Sequence, residues 1–332
     1  MAASCLFRKM AVSSISQKAD LCYIEWWLSM NKSICTTSSQ EGTTMHRSGF
    51  QMMMRVLLGF GLLLAWVATA SAEGSIEAMS FNIRLGVAKD GGNHWKLRKD
   101  LVFGVLRDHK PDVVGMQEAW SFQVDEIQKA LPEYGLIGRS RQKEADVGEW
   151  CPVLYRKAKY EVLESGTFWL SDTPEKEGSM NWGNKIPRIC TWARLKGKKS
   201  GRSFFVYNTH FDHQSQSSRE KSAVLCAKRI AERKPAGEAA IFMGDLNVGE
   251  QNKVITTLGK SLVDTYGKLF PKGEERGTFG GWVGRKGGAR IDYVYVTPGQ
   301  WEIVNAKILH DHSTDGRYPS DHYPVSAELK LK

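Results

Sequence analysis

Acidic, amide and histidine side chains recur at four separated places in this sequence. They occur in Met-Gln-Glu at 116–118, Asn-Thr-His at 208–210, Gly-Asp-Leu-Asn at 244–247 and Ser-Asp-His at 320–322. Carboxylates and amide oxygens are ligands that hard divalent cations prefer, and an imidazole can move a proton near neutral pH. This combination is typical of metal-assisted phosphoester hydrolysis.

Such a reaction needs a positive charge at the site, because a phosphodiester is an anion and charge builds up on it during attack. Mg²⁺ or Mn²⁺ held by oxygen ligands can supply that charge. The candidate oxygen ligands are Asn82, Glu118, Asp245, Asn247 and Asp321. His210 and His322, each fixed by a carboxylate, are expected to move a proton or to stabilise the phosphoryl group.

The N-terminal part has the pattern of an export signal. Residues 56–67 form an apolar run after Arg55, and Ala-Ser-Ala at 70–72 has the small-x-small form of a secretory cleavage site. The run is shorter than the roughly 20 residues that cross a bilayer, so we expect no stable membrane span. We predict a signal peptide at 52–72, cleaved after Ala72, and a secreted or periplasmic protein. An uncleaved anchor is the alternative.

Residues 1–51 are interpreted as an upstream extension or a mis-assigned start, and residues 73–332 as one domain with a sizeable core. The whole chain has a net charge of +10, which favours anionic partners or substrates. Cys151, Cys190 and Cys226 each lie in an apolar context. Buried free thiols are therefore expected, although one disulfide stays open.

Short apolar runs alternate with helical patterns after residue 73, which favours an α/β domain. Apolar residues at helical spacing predict a helix over 95–108, and a second helix is predicted at about 218–233. Strands are predicted at 76–83, 113–116, 151–156, 160–167, 189–195, 203–209, 239–243, 290–296, 302–308 and 323–331. The glycine-rich stretch 277–288 predicts a mobile loop beside the site.

Six motifs in this order resemble those of the endonuclease/exonuclease/phosphatase superfamily, which includes pancreatic-type deoxyribonuclease and neutral sphingomyelinases. They are Ser-Phe-Asn-Ile-Arg at 80–84, Gln-Glu at 117–118, Asn-Thr-His at 208–210, Gly-Asp-Leu-Asn at 244–247, Arg-Ile-Asp-Tyr at 290–293 and Ser-Asp-His at 320–322. The resemblance extends over about 75–332. It implies an α/β fold, a four-layered sandwich of two packed mixed β-sheets flanked by helices, with the site at one sheet edge.

The resemblance also implies a role for each motif residue. It implies three metal ligands: Asn82, Glu118 and Asp321. Asp245 and Asn247 match the pair that orients the attacking water and the phosphate, or holds a second metal. His322 matches the histidine that contacts the phosphate, and Asp292 the carboxylate that orients this histidine. The structural alternatives are a cap at Glu118, a turn at 245–247 and a salt bridge at Asp292.

His210 distinguishes between branches of the superfamily. The deoxyribonuclease and sphingomyelinase branches have a histidine in this place, and the exonuclease III branch does not. In those branches a glutamate just before a strand pairs with the histidine, and Glu149 stands in a comparable place. His210 is then the expected general acid for the leaving oxygen, and Asn208 is expected to hold a phosphate oxygen. The structural alternatives are a solvated loop residue for Glu149 and a loop cap for Asn208.

We therefore expect an exported, monomeric phosphoesterase that depends on Mg²⁺ or Mn²⁺. Its phosphorylated substrate stays open between nucleic acid and a lipid, sugar or nucleotide phosphoester, and so does the choice of diester or monoester. One or two metal ions are possible. A different functional class is a non-catalytic binding module for a phosphorylated ligand. Loss of a motif acid or histidine would favour that class, and all of them are present.

Overall fold

The computed structural model describes residues 74–144, 147–273 and 275–332. The predicted signal peptide at 52–72 and the upstream residues 1–51 lie outside the described residues. The helices and strands are β1 (Ile76–Asn82), α1 (Trp95–His109), β2 (Val113–Gln117), β3 (Ala119–Trp120), α2 (Ser121–Ala130), β4 (Tyr134–Ile137), β5 (Glu149–Trp150), β6 (Val153–Arg156), β7 (Tyr160–Trp169), β8 (Ile189–Gly197), β9 (Ser203–His210), α3 (Gln216–Ala231), β10 (Ala240–Asp245), α4 (Lys253–Leu258), β11 (Val263–Asp264), α5 (Thr265–Leu269), β12 (Asp292–Val296), β13 (Trp301–Ile308) and β14 (Val325–Leu331).

Two mixed six-stranded sheets make up the body of the described chain. The first has the strand order β13-β14-β1-β2-β6-β4, and the second has the order β11-β12-β10-β9-β8-β7. Each sheet has one parallel pair, β1 with β2 and β9 with β10. Their other pairs are antiparallel.

Apolar side chains from both sheets fill the space between them. Val113 and Val325 of the first sheet belong to the same buried cluster as Val206 and Ile241 of the second. Helices α1 and α2 pack on the outer face of the first sheet, and α3 and α4 on that of the second. The central strands are apolar on both faces because both faces are covered. The predicted sandwich of two mixed sheets with helices outside is confirmed.

The parallel pairs of the two sheets end at the edge that carries the candidate site. In the first sheet, Asn82 at the end of β1 pairs with Gln117 at the end of β2. In the second, Asp245 at the end of β10 pairs with His210 on one side and with Asp292 on the other. Polar side chains from both sheets are therefore brought to one place.

The predicted strands and both predicted helices are present, with small shifts at their ends. The sequence patterns did not indicate α2, α4 and α5. The pattern of α2 is obscured by the polar Gln123, which is fully buried, and α4 and α5 are very short. Residues 277–288 form a loop as predicted, with one bridge that pairs Phe279 with His322.

Cys151, Cys190 and Cys226 are free and buried, as interpreted from their apolar context. In the part of the chain that the structure describes, no helix is both long and apolar enough to cross a membrane.

Candidate active site

Asn82 joins two carboxylates that come from different sheets. Its amide nitrogen donates to Glu118 Oε1 at 3.0 Å and to Asp245 Oδ2 at 2.9 Å. Its amide oxygen accepts from the backbone N–H of Arg84 at 3.0 Å. Because Asn82 is fully buried, these hydrogen bonds hold the two acids at a fixed spacing.

Glu118 follows β2 directly in a left-handed backbone conformation. Its φ of +58° is uncommon for a residue with a Cβ and ends the strand at this point. Oε2 accepts from the backbone N–H of Leu85 at 2.9 Å, while Oε1 accepts from Asn82. Both carboxylate oxygens are thus held by β1 and the loop that follows it.

Glu118, Asp245 and His322 form a candidate metal centre. Each offers one ligand atom, and the three atoms lie within 4.8 Å of one another. Two carboxylates and an imidazole suit a divalent cation. The cluster is therefore a candidate site for a divalent cation, and Mg²⁺ or Mn²⁺ stays a prediction.

The other two predicted metal ligands have different surroundings. Asn82 turns its amide nitrogen, which cannot bind a cation, toward the acids. Asp321 Oδ2 lies 3.7 Å from Arg84 Nε, and Arg84 Nη1 lies 3.9 Å from Glu118 Oε2. A guanidinium therefore lies beside both Glu118 and Asp321. Metal binding by Asn82 and Asp321 stays a prediction.

His322 and Asp292 form a buried pair, as the motifs predict. His322 Nδ1 lies 2.9 Å from Asp292 Oδ2, and the backbone N–H of Asp292 donates to Thr278 Oγ1 at 3.1 Å. Burial disfavours a charge on the imidazole, but the carboxylates of Asp292 and Asp245 outweigh burial and raise the pKa of His322 well above its usual range. The pair thus favours the protonated form of the imidazole.

His210 lies between two acids. Its Nδ1 is 3.5 Å from Glu149 Oε1, and its Nε2 is 3.5 Å from Asp245 Oδ2. The structure therefore brings Glu149 and His210 together. Glu149 is only 4% exposed, so it is not a solvated loop residue.

His210 and two arginines keep Glu149 in its charged form. Arg141 Nη1 lies 2.7 Å from Glu149 Oε1, and Arg188 Nη1 lies 3.9 Å from the same oxygen. Burial by itself would raise the pKa of Glu149, but the contact with His210 and the charges of the two arginines lower it to about 2. The resulting anion favours a proton on Nδ1 of His210.

Asn247 lies beside Asp245, as its motif predicts. Its backbone N–H donates to Asp245 Oδ1 at 2.9 Å, and its side-chain amide donates to the backbone oxygen of Phe211 at 3.0 Å. A φ of +53° turns the chain sharply at this residue. Asn247 is thereby fixed next to the central acid.

Asn208 corrects the prediction made for it. Its amide nitrogen donates to the backbone oxygens of Met116 and Pro152 at 2.7 and 2.9 Å, and its amide oxygen accepts from Gln117 at 2.7 Å. Asn208 is fully buried. These contacts link β9 to the first sheet and leave no amide hydrogen for a phosphate. A role between the sheets replaces the predicted phosphate contact.

Three arginines around the site were not anticipated from the sequence. Arg84 stands two residues after Asn82 in the first motif, which is a usable signal. Arg141 contacts Glu149 from the loop that precedes β5. Arg98 in α1 is buried and donates to the backbone oxygens of Ile83 and Pro319 at 2.7 and 2.8 Å. The partners of Arg98 and Arg141 depend on tertiary contacts, so local spacing does not reveal them.

The sequence profile of the endonuclease/exonuclease/phosphatase family matches residues 79–322. This stretch contains every candidate residue described above, from Asn82 to His322.

The chain is also similar to individual proteins, some of them with solved structures. The chain is 31% identical to the mannosyl-6-phosphatase of Bacteroides thetaiotaomicron VPI-5482, with a TM-score of 0.72 and coverage of 77% of this chain and 100% of that one. It is 35% identical to an endonuclease/exonuclease/phosphatase of Bacteroides vulgatus, with a TM-score of 0.73 and coverage of 78% and 100%. It is 26% identical over 168 residues to the 3'-5'-exoribonuclease subunit Ccr4 of the CCR4-Not complex of Phaeosphaeria nodorum. The aligned region covers 43% of this chain and 28% of that longer protein.

Proposed function

The chain belongs to the endonuclease/exonuclease/phosphatase family, and we propose that it is a metal-dependent phosphoesterase centred on Asp245. The main observation behind this proposal is that two histidine–carboxylate pairs, His210–Glu149 and His322–Asp292, both lie next to the buried Asp245. Asp245 Oδ2 lies 3.5 Å from His210 Nε2 and 3.9 Å from His322 Nδ1. An exoribonuclease subunit and a mannosyl-6-phosphatase among the similar proteins support hydrolysis of a phosphoric ester.

Glu118 and Asp245, the two acids that Asn82 joins, would hold Mg²⁺ or Mn²⁺. When bound, the cation offsets the negative charge that develops on the phosphoryl oxygens. His322 is the third member of the same cluster, and its Nδ1 lies 2.9 Å from Asp292 Oδ2. We assign His322 to the phosphate, as the Ser-Asp-His motif predicts, and propose that it contacts the phosphate as a hydrogen-bond donor.

In the proposed reaction Asp245 orients a water molecule and accepts its proton. The water oxygen forms a bond to phosphorus while the bond from phosphorus to the leaving oxygen breaks. His210 donates a proton to that leaving oxygen, and the anionic Glu149 stabilises the imidazolium form of His210. The proton on Asp245 can then return to His210 over the 3.5 Å between Oδ2 and Nε2.

For the substrate we propose a small phosphorylated sugar. Support comes from the mannosyl-6-phosphatase, which is 31% identical and matched over its full length. A nucleic acid is the second candidate, favoured by the partial likeness to Ccr4 and by the excess of basic over acidic residues. A non-catalytic module that binds a phosphorylated ligand is the third.

Hydrolysis assays separate these candidates. The purified protein is incubated with mannose 6-phosphate, p-nitrophenyl phosphate, bis-p-nitrophenyl phosphate and plasmid DNA, each with Mg²⁺, Mn²⁺ or EDTA. We expect metal-dependent release of phosphate from the monoesters. Preferential cleavage of DNA would replace the sugar phosphatase with a nuclease.

The variants His210→Ala and His322→Ala assign the turnover to this site. Each is expected to lose at least about 100-fold in kcat, as for a removed acid–base group. Activity that both variants retain would place the reaction elsewhere. Binding of Mn²⁺ and phosphate by a folded wild-type protein that turns over none of the compounds would favour the binding module.

We further propose that the protein is exported, on the basis of the signal-peptide pattern at 52–72. Expression of the full coding sequence and N-terminal sequencing of the recovered protein test this. Mature protein that begins at Glu73 and is found outside the cytoplasm is expected. Protein that keeps residues 52–72 would contradict cleavage.

A further inference from the structure

Phe279 is an exposed aromatic residue that contacts a proposed phosphate-binding side chain. Its ring lies edge-on to the imidazole of His322, with 5.2 Å between the centroids and 73° between the planes. The side chain is nevertheless 43% exposed. One part of the ring thus packs on the site, and the rest is open to solvent next to it.

The backbone holds Phe279 firmly in this place. Gly280 N–H donates to Asp321 O at 2.8 Å, and Tyr323 N–H donates to Thr278 O at 2.7 Å. The hydroxyl oxygen of Thr278 also accepts from the backbone N–H of Asp292. The segment around Phe279 is therefore tied to Asp292 and to the residues on either side of His322, and its position does not depend on packing of the ring.

A fixed, exposed aromatic ring beside a charged site favours a ligand with two kinds of surface. The anionic end of such a ligand would contact His322, and a flat apolar face would cover Phe279. A pyranose ring has such a face, formed by its C–H groups, and in a hexose 6-phosphate it lies close to the phosphate. A strand of nucleic acid would instead require a row of aromatic and basic side chains along a groove.

We propose that Phe279 forms the leaving-group subsite and binds the apolar face of a hexopyranose whose phosphate is held by His322. This inference rests on the proposed phosphatase function and adds the part of the substrate that the enzyme recognises. It makes Phe279 a specificity-determining residue that contacts the sugar and takes no part in proton transfer.

The test compares a ring-containing and a ring-free phosphomonoester. Values of kcat/KM for mannose 6-phosphate and for glycerol 3-phosphate are measured in wild type, Phe279→Ala and Phe279→Trp. Loss of the ring should lower kcat/KM for the sugar phosphate about five- to tenfold, mainly through KM, and change that for glycerol 3-phosphate by less than about twofold. Phe279→Trp keeps an aromatic ring and should therefore keep the wild-type preference for mannose 6-phosphate over glycerol 3-phosphate.

Val283 offers a matched control. It is a large apolar residue of the same loop and is 73% exposed, so Val283→Ala removes exposed apolar surface without touching the proposed subsite. In Val283→Ala the ratio of kcat/KM for mannose 6-phosphate to kcat/KM for glycerol 3-phosphate should equal that of wild type. An equal loss on both substrates in Phe279→Ala would overturn the proposal, because it would mean that the ring only supports His322. No loss on either substrate would overturn it too.

A binding measurement keeps this inference separate from the proposed function. Affinities for the same two compounds are measured by calorimetry in a His210→Ala background, where turnover is slowed. If wild type hydrolyses neither compound, but the sugar phosphate binds more tightly through Phe279, the phosphatase proposal fails and the subsite stands. If both compounds are hydrolysed and bound equally with and without the ring, the phosphatase stands and the subsite is rejected.

Discussion

Asp245 Oδ2 and His210 Nε2 lie 3.5 Å apart because their residues are register partners at the ends of two neighbouring parallel strands. Their spacing therefore depends on how closely β9 and β10 approach at this edge. Gly244 permits the approach, since a Cβ added there would lie 2.1 Å from the backbone oxygen of Thr209. Thr209 cannot yield by rotating a side chain, because the contact is with its main chain.

Gly244→Ala should therefore force the two strands apart. We expect the free energy of unfolding to fall by about 3 kcal/mol, at the upper end of overpacking costs, and activity to fall because Asp245 moves away from His210. Denaturant unfolding and turnover measure both effects. Gly104→Ala in α1 is the control, since a Cβ there meets nothing within 4 Å and should stabilise the helix slightly. Equal stability of the two variants would contradict the argument.

Arg98 is the second position with a large expected effect on stability. Its guanidinium donates to the backbone oxygens of Ile83, Arg84 and Pro319, so it joins the loop after β1 to the segment before Asp321. Arg98→Met leaves these oxygens without that donor and should destabilise the fold by at least ~3 kcal/mol.

Arg107→Met is the control for Arg98. Arg107 lies on the same helix but is exposed and donates to the backbone oxygen of Ala130 at 3.1 Å. Its replacement should change the free energy of unfolding by less than about 0.5 kcal/mol. A similar loss in both variants would show that the buried contacts of Arg98 are not what stabilises the fold.

Much of the site could be predicted because its acids and histidines follow apolar runs that are strands in the structure. The parallel strands β9 and β10 bring His210 and Asp245 to one edge, and short apolar runs that end in polar residues suffice to find such strand ends. Pairing of Glu149 with His210 was predicted by resemblance, and the structure brings the two side chains together.

The parts that could not be predicted depend on contacts between distant segments. Asn208 has the residue type of a phosphate ligand, but the close approach of the first sheet consumes its amide. That approach requires Gly115, where an added Cβ would lie 2.5 Å from Asn208 Oδ1. For Arg141, which stands only eight residues before Glu149, the contact depends instead on the conformation of the loop that connects β4 to β5. Neither contact has a signature in the local sequence.

Binding of a divalent cation should stabilise the folded protein through Glu118. At a concentration one hundred times Kd the gain is about 2.7 kcal/mol, so addition of Mn²⁺ should raise Tm and EDTA should reverse the change. Glu118→Gln should abolish this shift. Glu126→Gln should keep it, because Glu126 is a partly exposed acid that pairs with Lys99. A wild-type Tm that does not respond to Mn²⁺ or Mg²⁺ would argue against the metal centre.

Asp292→Asn should impair catalysis without unfolding the protein. An asparagine keeps the shape but loses the charge that holds the proton on His322, so we expect kcat to fall about 10- to 100-fold, as for other carboxylates that orient a catalytic histidine. Asp112→Asn is the control, since Asp112 is a buried acid that pairs with Lys159 at 2.5 Å. It should lower stability and leave kcat unchanged. Equal kcat in Asp292→Asn and wild type would contradict the role of this pair.

Glu149 should make stability depend on pH in the acid range. Its pKa is lowered from 4.5 to about 2 in the folded protein, so the unfolded chain binds a proton more readily than the folded one. The stabilisation is therefore complete above about pH 4.5 and is lost as the pH falls toward 2. A shift of this size corresponds to roughly 3 kcal/mol.

Glu149→Gln cannot lose a proton, so its stability should be lower than that of wild type at pH 7, and the difference should shrink as the pH falls from 5 to 3. Glu164→Gln removes an exposed acid that pairs with Arg194 and should show no such convergence. Denaturant unfolding of the three proteins across this range measures the effect, and a constant difference between wild type and Glu149→Gln would mean that His210 and the two arginines do not hold Glu149 in its charged form.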